Sequence, residues 1–150
     1  NKKGERYLTD ICGIAGGRGR PAKGYFHTRS DEVLGVNTLQ GLLEATIVMR
    51  KKVNEGHMRN GVTFRGDDIY VGPEVKIGRG TVIHPGCHIM GASVIGEDVT
   101  IGPCSMIVDC IIEKDVNIRG LVSIERVEAQ KGATIGPFEY REGPVGRHVR

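Results

Sequence analysis

The chain has 150 residues, room for one ordinary domain, or for two if one of them is partial. A formal charge of +3 and a pI near 8.7 arise from charges mixed along the chain, which gives no footprint for nucleic acid, and no apolar run approaches the roughly 18 residues of a membrane span. Four cysteines without Cys-x-x-Cys spacing read as reduced thiols, and twenty-three glycines beside three phenylalanines and no tryptophan predict a core of aliphatic side chains and closely approaching backbone. Together these features imply a soluble, cytoplasmic protein that binds neither membrane nor nucleic acid.

The chain begins at Asn1 and enters at once on the motif-like run Gly4-Glu5-Arg6-Tyr7-Leu8-Thr9-Asp10, as a piece of a longer protein would. Leu8 to about Ala15 predicts a short helix with Thr9 or Asp10 near its N-terminus. Gly16-Gly17-Arg18-Gly19-Arg20-Pro21 reads as a breaker, because glycine loses the most backbone entropy on ordering and proline lacks the amide donor. A short strand is expected around Gly24 to His27, and a turn at Ser30-Asp31-Glu32.

From Thr38 the pattern becomes helical. Leu39, Leu43 and Ile47 are spaced by four, and Leu42, Met49 and Val53 form an adjoining stripe. Asn37 is placed to cap this helix, Gly56 to follow its end near Asn54 or Glu55, and Asn60-Gly61 to turn the chain. At 1.5 Å per residue such a helix is about 27 Å long, a length suited to a linker.

The period then changes to six. Val71, Ile77, Ile83, Ile89, Ile95, Ile101 and Ile107 keep strict register, and Val75, Thr81, Cys87, Ser93, Val99 and Ser105 stand four positions after the first six of them. Glycine follows the aliphatic at Gly72, Gly78, Gly96, Gly102 and Gly136, where a tight corner is expected. Three such hexapeptides make one coil of about 18 residues, with coils about 4.8 Å apart. Residues 69 to 140 therefore predict about four coils of a parallel β-helix. Beyond Ile107 the register holds through Ile112, Ile118, Ile124 and Ile135 only if single residues are dropped twice. A bulge or loop is expected near Asp109 to Ile111, and another between Glu125 and Lys131. A narrow core with open ends favours self-association as a symmetric oligomer.

The run Asn1 to Asp10, then Glu32-Val33-Leu34-Gly35-Val36-Asn37, a long helix ending in His57-Met58-Arg59-Asn60-Gly61-Val62, and then hexapeptides, resembles the bacterial bifunctional N-acetylglucosamine-1-phosphate uridyltransferase/glucosamine-1-phosphate acetyltransferase family. The specificity lies in the succession of segments, since hexapeptides alone occur in many acyltransferases. The resemblance implies a mainly β fold, a left-handed parallel β-helix preceded by a long linker helix and a partial α/β segment. Residues 1–37 would be the end of a nucleotidyltransferase-like α/β domain, 38–61 the linker helix and 62–150 an incomplete hexapeptide-repeat β-helix. It further implies a homotrimer acting on sugar phosphates and nucleotides, with Mg2+, acetyl-CoA and UTP. The family's nucleotide loop and magnesium aspartate would precede Asn1, and its acetyltransferase histidine and lysines would follow Arg150. No catalytic residue is therefore assigned here, and the chain alone is expected to be inactive. It departs from the family at Gly16 to Arg20, where the family is usually helical, and at Glu139 to Gly143, where Arg-Pro-Gly is usual.

Two residues carry candidate roles. Asn37 matches the family's magnesium ligand, and an amide oxygen suits a hard cation; from spacing alone it reads as a helix N-cap, and one residue can serve as both. The resemblance sets Arg141 near the arginine that in the family binds the sugar phosphate, with one residue deleted before it and Glu142 in place of proline; by itself it reads as a solvated charge. His84-Pro85-Gly86-Cys87-His88 contains zinc-ligand types, but coils of 18 residues stack His84 on Gly66 and Gly102 and His88 on Tyr70 and Met106, bringing no further ligand. Gly13 to Gly19 with Arg18 and Arg20 lacks the strand and helix of a phosphate cradle and reads as a surface loop. Two other classes stay open: a non-catalytic β-helix assembly or regulatory module of another sugar-1-phosphate nucleotidyltransferase, and a carbonic-anhydrase-like zinc trimer.

Overall fold

The computed structural model describes residues 7–26, 28 and 33–143. Asn1 to Arg6, His27 and the expected turn at Ser30-Asp31-Glu32 lie outside the described residues. Two compact units divide the chain, Asn1–Gly35 and Val36–Arg150.

In the first unit one helix, α1, spans Asp10–Gly17. Asp10 folds back to accept the Tyr7 amide at 2.9 Å. The predicted breaker starts too early: Gly16 and Gly17 are helical, and the chain stops at Gly19, which takes φ +71°. Ala15 O accepts from the Arg18 and Arg20 amides at 3.1 and 2.9 Å, so glycine acts here at the C-terminal cap. No strand forms at 24–26, and the described residues of this unit contain no sheet.

The second unit opens with α2, Leu39–Arg59. Its N-cap is Thr38, whose Oγ1 accepts from the Gly41 amide at 3.0 Å, and not Asn37. The helix also outruns the predicted stop at Gly56. A glycine inside a helix costs only about 1 kcal/mol relative to alanine, and the last turns are held by packing: Val53 lies against the solenoid core and Asn54 is buried. The chain turns instead at Gly61, with φ +86°.

The rest is a parallel β-solenoid of about five turns, one more than predicted. Its strands are β1 (Thr63–Phe64), β2 (Tyr70–Val71), β3 (Lys76–Ile77), β4 (Val82–Ile83), β5 (His88–Met90), β6 (Val94–Ile95), β7 (Thr100–Ile101), β8 (Met106–Val108), β9 (Ile111–Ile112), β10 (Asn117–Ile118), β11 (Ser123–Glu125), β12 (Glu128–Ala129), β13 (Thr134–Ile135) and β14 (Tyr140–Glu142). They stack in three sheets: β1-β4-β7-β10-β13, β2-β5-β8-β11-β14 and β3-β6-β9-β12. The isoleucine columns Ile83-Ile101-Ile118-Ile135, Ile89-Ile107-Ile124 and Ile95-Ile112 fill the axis, and every predicted small slot from Val75 to Ser105 is buried.

The slips after Ile107 fall within the two expected segments, as short turns and not as bulges. Val82 pairs with Thr100, eighteen residues on, whereas Thr100 pairs with Asn117 and Asn117 with Thr134, each seventeen on. The missing residue is taken out at the corner between the second and third sheets, where Asp109-Cys110 and Arg126-Val127 each make a two-residue turn with Asp109 at φ +51° and Arg126 at φ +54°. Because both omissions fall at one corner, the two short turns stack and the inward columns stay aligned. A left-handed residue is cheap for glycine and costs about 1–2 kcal/mol otherwise.

At three of the five glycines that follow the inward aliphatic, the cause differs from the one expected. A Cβ on Gly78, Gly96 or Gly102 would lie 2.6, 2.7 or 2.5 Å from backbone of the next turn, so close stacking excludes a side chain there. The positive φ falls later in the corner, at Gly80 and Gly86.

Candidate functional site

Arg141 lies on β14, paired with Ile124. This is the inward column of the second sheet, held in the preceding turns by Val71, Ile89, Ile107 and Ile124. Two residues earlier, Glu139 occupies the small slot filled by Ile69, Cys87, Ser105 and Val122 in those turns; the Ser123 amide donates to Glu139 O at 2.9 Å, as the Met106 amide does to Val122 O. The fifth turn thus sets a carboxylate and a guanidinium where the other turns set core. Arg141 Nε donates to Glu139 Oε1, and Glu139 Oε2 accepts from the Gly136 amide at 2.9 Å. The Arg141 hydrogen bond holds the Glu139 carboxyl below its usual value. The Arg141 side chain remains 48% exposed among the described residues.

Beside it, Tyr140 Oη donates to Glu142 Oε2 at 2.8 Å, which raises the phenol's pKa. Arg126 pairs with Glu125 and Glu142, and its Nε is buried without a described partner. Sequence reasoning singled out Arg141 but missed Glu139, Tyr140 and Arg126. The available signal was the register itself: two charged residues in phase with buried columns.

Asn37 is exposed and directly precedes the capping residue Thr38. Its amide oxygen is compatible with a hard cation, as one ligand among several. Among the described residues no group of three or more His, Cys, Asp or Glu is arranged to hold a metal. Other ligands would have to come from phosphate, water or residues outside those described.

The zinc reading of His84 to His88 finds no support in geometry. Cys87 is buried and its Sγ donates to Gly102 O at 3.1 Å; burial pushes the thiol pKa up, opposite to what a thiolate ligand needs. His88 stacks on the Tyr70 ring at 5.9 Å. His84 lies level with Gly102 as expected, but with Arg65 rather than Gly66, because Thr63 pairs with Val82 nineteen residues on and the first turn carries an extra residue. The Gly13 to Gly19 amides are committed to α1 and its C-terminal cap, so they do not form an anion cradle.

A groove of about 570 Å³ between α2 and the first turn is lined by Ile47, Arg50, Asn54, Met58, Phe64 and Asp67 among others. Asn54 Nδ2 donates to Ile69 O at 3.0 Å, tying helix to solenoid, while its Oδ1 is buried with no described partner. No helix among the described residues is long and apolar enough to cross a membrane.

Residues 74–108 match the family model for the bacterial transferase hexapeptide (six repeats). Among curated proteins, the bifunctional protein GlmU of Geobacillus sp. is 43% identical over 93% of this chain and 30% of its own length. The bifunctional protein GlmU of Clostridium botulinum is 39% identical over 100% of this chain and 33% of its own length, and that of Enterococcus faecalis 43% identical over 99% and 33%. The chain spans about a third of the length of these relatives. The resemblance carried by the succession of segments therefore extends over the whole chain, which corresponds to one part of such a protein.

Proposed function

We propose, from the premise that this chain matches one segment of the bifunctional GlmU proteins from end to end, that it is part of a two-step enzyme of UDP-N-acetylglucosamine synthesis. In that reaction sequence acetyl-CoA acetylates glucosamine-1-phosphate, and the product then receives a uridylyl group from UTP. The observation that carries this reading is the 39–43% identity over nearly all of the chain, together with the transferase hexapeptides.

On this reading residues 1–37 end a nucleotidyltransferase-like domain, 38–61 form the linker helix and 62–150 begin a left-handed β-helix that assembles as a trimer in the cytoplasm, as peptidoglycan and cell-wall precursor synthesis would require. Asn37 would offer its amide oxygen to Mg2+. The cation would supply charge neutralisation at the phosphates of UTP, while Asn37 itself holds one coordination position at the start of α2. Arg141 would bind the phosphate of glucosamine-1-phosphate, where a planar guanidinium makes paired hydrogen bonds. Acetyl transfer needs a base and a coenzyme pocket, neither of which is assigned to residues of this chain.

The test is to assay the gene product with its native flanking sequence beside the 150-residue chain. The longer protein is expected to release thiol from acetyl-CoA with glucosamine-1-phosphate, and Mg2+-dependent pyrophosphate from UTP with N-acetylglucosamine-1-phosphate. The 150-residue chain is expected to release neither above a boiled control. Lack of thiol release by the longer protein would sink the acetyltransferase half, and lack of pyrophosphate the uridyltransferase half.

A further inference from the structure

Glu139 and Arg141 stand in phase with buried columns but on the last described turn, where β14 is exposed, so their pairing sets geometry and does not offset lost hydration. In the second sheet, the turns before β14 keep to the apolar or small pattern at both inward positions, and only the fifth turn breaks it, twice, with Glu139 and Arg141. The two breaks answer each other. Glu139 is anchored on the Gly136 amide at 2.9 Å, and its other oxygen meets Arg141 at Nε, the stem side of the guanidinium. Among the described residues Glu139 is the carboxylate that Arg141 meets. Among the described residues the Nη edge of the planar fork, an edge that can make bidentate contacts with phosphate, has no hydrogen-bond partner.

We propose that Glu139 is a positioning residue, one that fixes the guanidinium of Arg141 through Nε and so presents its Nη edge to the phosphate of a sugar 1-phosphate. This rests on the sugar-phosphate role of Arg141 given above. An arginine without such a support spreads over many rotamers, and the entropy of ordering it is then lost at each binding event. Glutamine at 139 keeps the shape and an acceptor but removes the charge-assisted bond.

The test is calorimetric titration of the gene product with its native flanking sequence with glucosamine-1-phosphate, in wild type, Glu139→Gln, Arg141→Ala and the double variant, with thermal unfolding recorded for each. Glu139→Gln is expected to weaken binding about tenfold, the size of one charge-assisted hydrogen bond, with little change in melting temperature. Arg141→Ala is expected to abolish measurable binding or reduce it to a residue on which Glu139→Gln has no further effect. Unchanged affinity in Glu139→Gln, or an equal loss whether or not Arg141 is present, would overturn the positioning role and leave Glu139 a structural residue. Absence of binding by the wild type, or full binding by Arg141→Ala, would remove the sugar-phosphate reading of Arg141 itself, and the positioning role with it.

Discussion

His57, in the last turn of α2, shows how placement alone alters a single residue. Its imidazole is partly buried, and desolvation lowers its pKa from the usual 6.5. A folded-state pKa below the unfolded one means that the unfolded chain binds the proton more readily, so stability is lost as pH falls through the unfolded value toward the folded one. The urea midpoint should therefore fall as pH drops below about 6.5, and that of the His57→Gln variant should fall less. Equal slopes in the two proteins would contradict the assignment. Cys87 and Cys110 are the converse case: burial raises both thiols, which fits their place in the small inward slots rather than any metal or redox role. Cys87 was legible as a slot from the six-residue period, whereas Cys110 falls level with Ser93 only because the corner before β9 is one residue short. The direction of the shifts was not, because it depends on which atoms surround each sulfur.

Among the elements, the corners separate two uses of glycine that look alike in sequence. Gly102 and Gly136 both follow an inward isoleucine. A Cβ on Gly102 would stand 2.5 Å from the Gly120 amide nitrogen in the next turn, whereas on Gly136 the nearest atom is Glu139 Oε2 at 3.6 Å. Gly102→Ala should destabilise by about 1–3 kcal/mol, as overpacking does, and Gly136→Ala by no more than about 0.5 kcal/mol. Denaturant titration of both variants checks this, and equal losses would show that stacking is not the cause. The ends of α2 carry the same lesson. Its periodicity located it, but the choice of Thr38 over Asn37 as the cap and the extension past Gly56 follow from the Gly41 hydrogen bond and from packing of Val53 and Asn54 against the first turn. The cap is a local contact three residues long, but the packing of Val53 and Asn54 joins residues far apart in sequence, beyond the reach of a local rule.

For the whole molecule, stability in a solenoid is a sum of turns and the contacts between adjacent ones, so a cavity should cost more in the middle than at an end. Ile107 is stacked between Ile89 and Ile124, while among the described residues β13, which carries Ile135, pairs with β10 alone. Ile107→Ala should cost about 2–5 kcal/mol and Ile135→Ala distinctly less, as read from chemical denaturation; the reverse order would argue against a one-dimensional stack. The aliphatic period by itself determined that residues from Val71 onward form a parallel solenoid with isoleucine columns and small inward slots, because a side chain repeating every sixth residue can be buried only by a chain that returns to the same place. It also showed that two residues are missing after Ile107. Only the tertiary structure decided that both are taken out at the same corner, since stacking the two short turns keeps the columns aligned, and only it brings Glu139 to Arg141. A period records which residues face inward, but not which of their atoms touch.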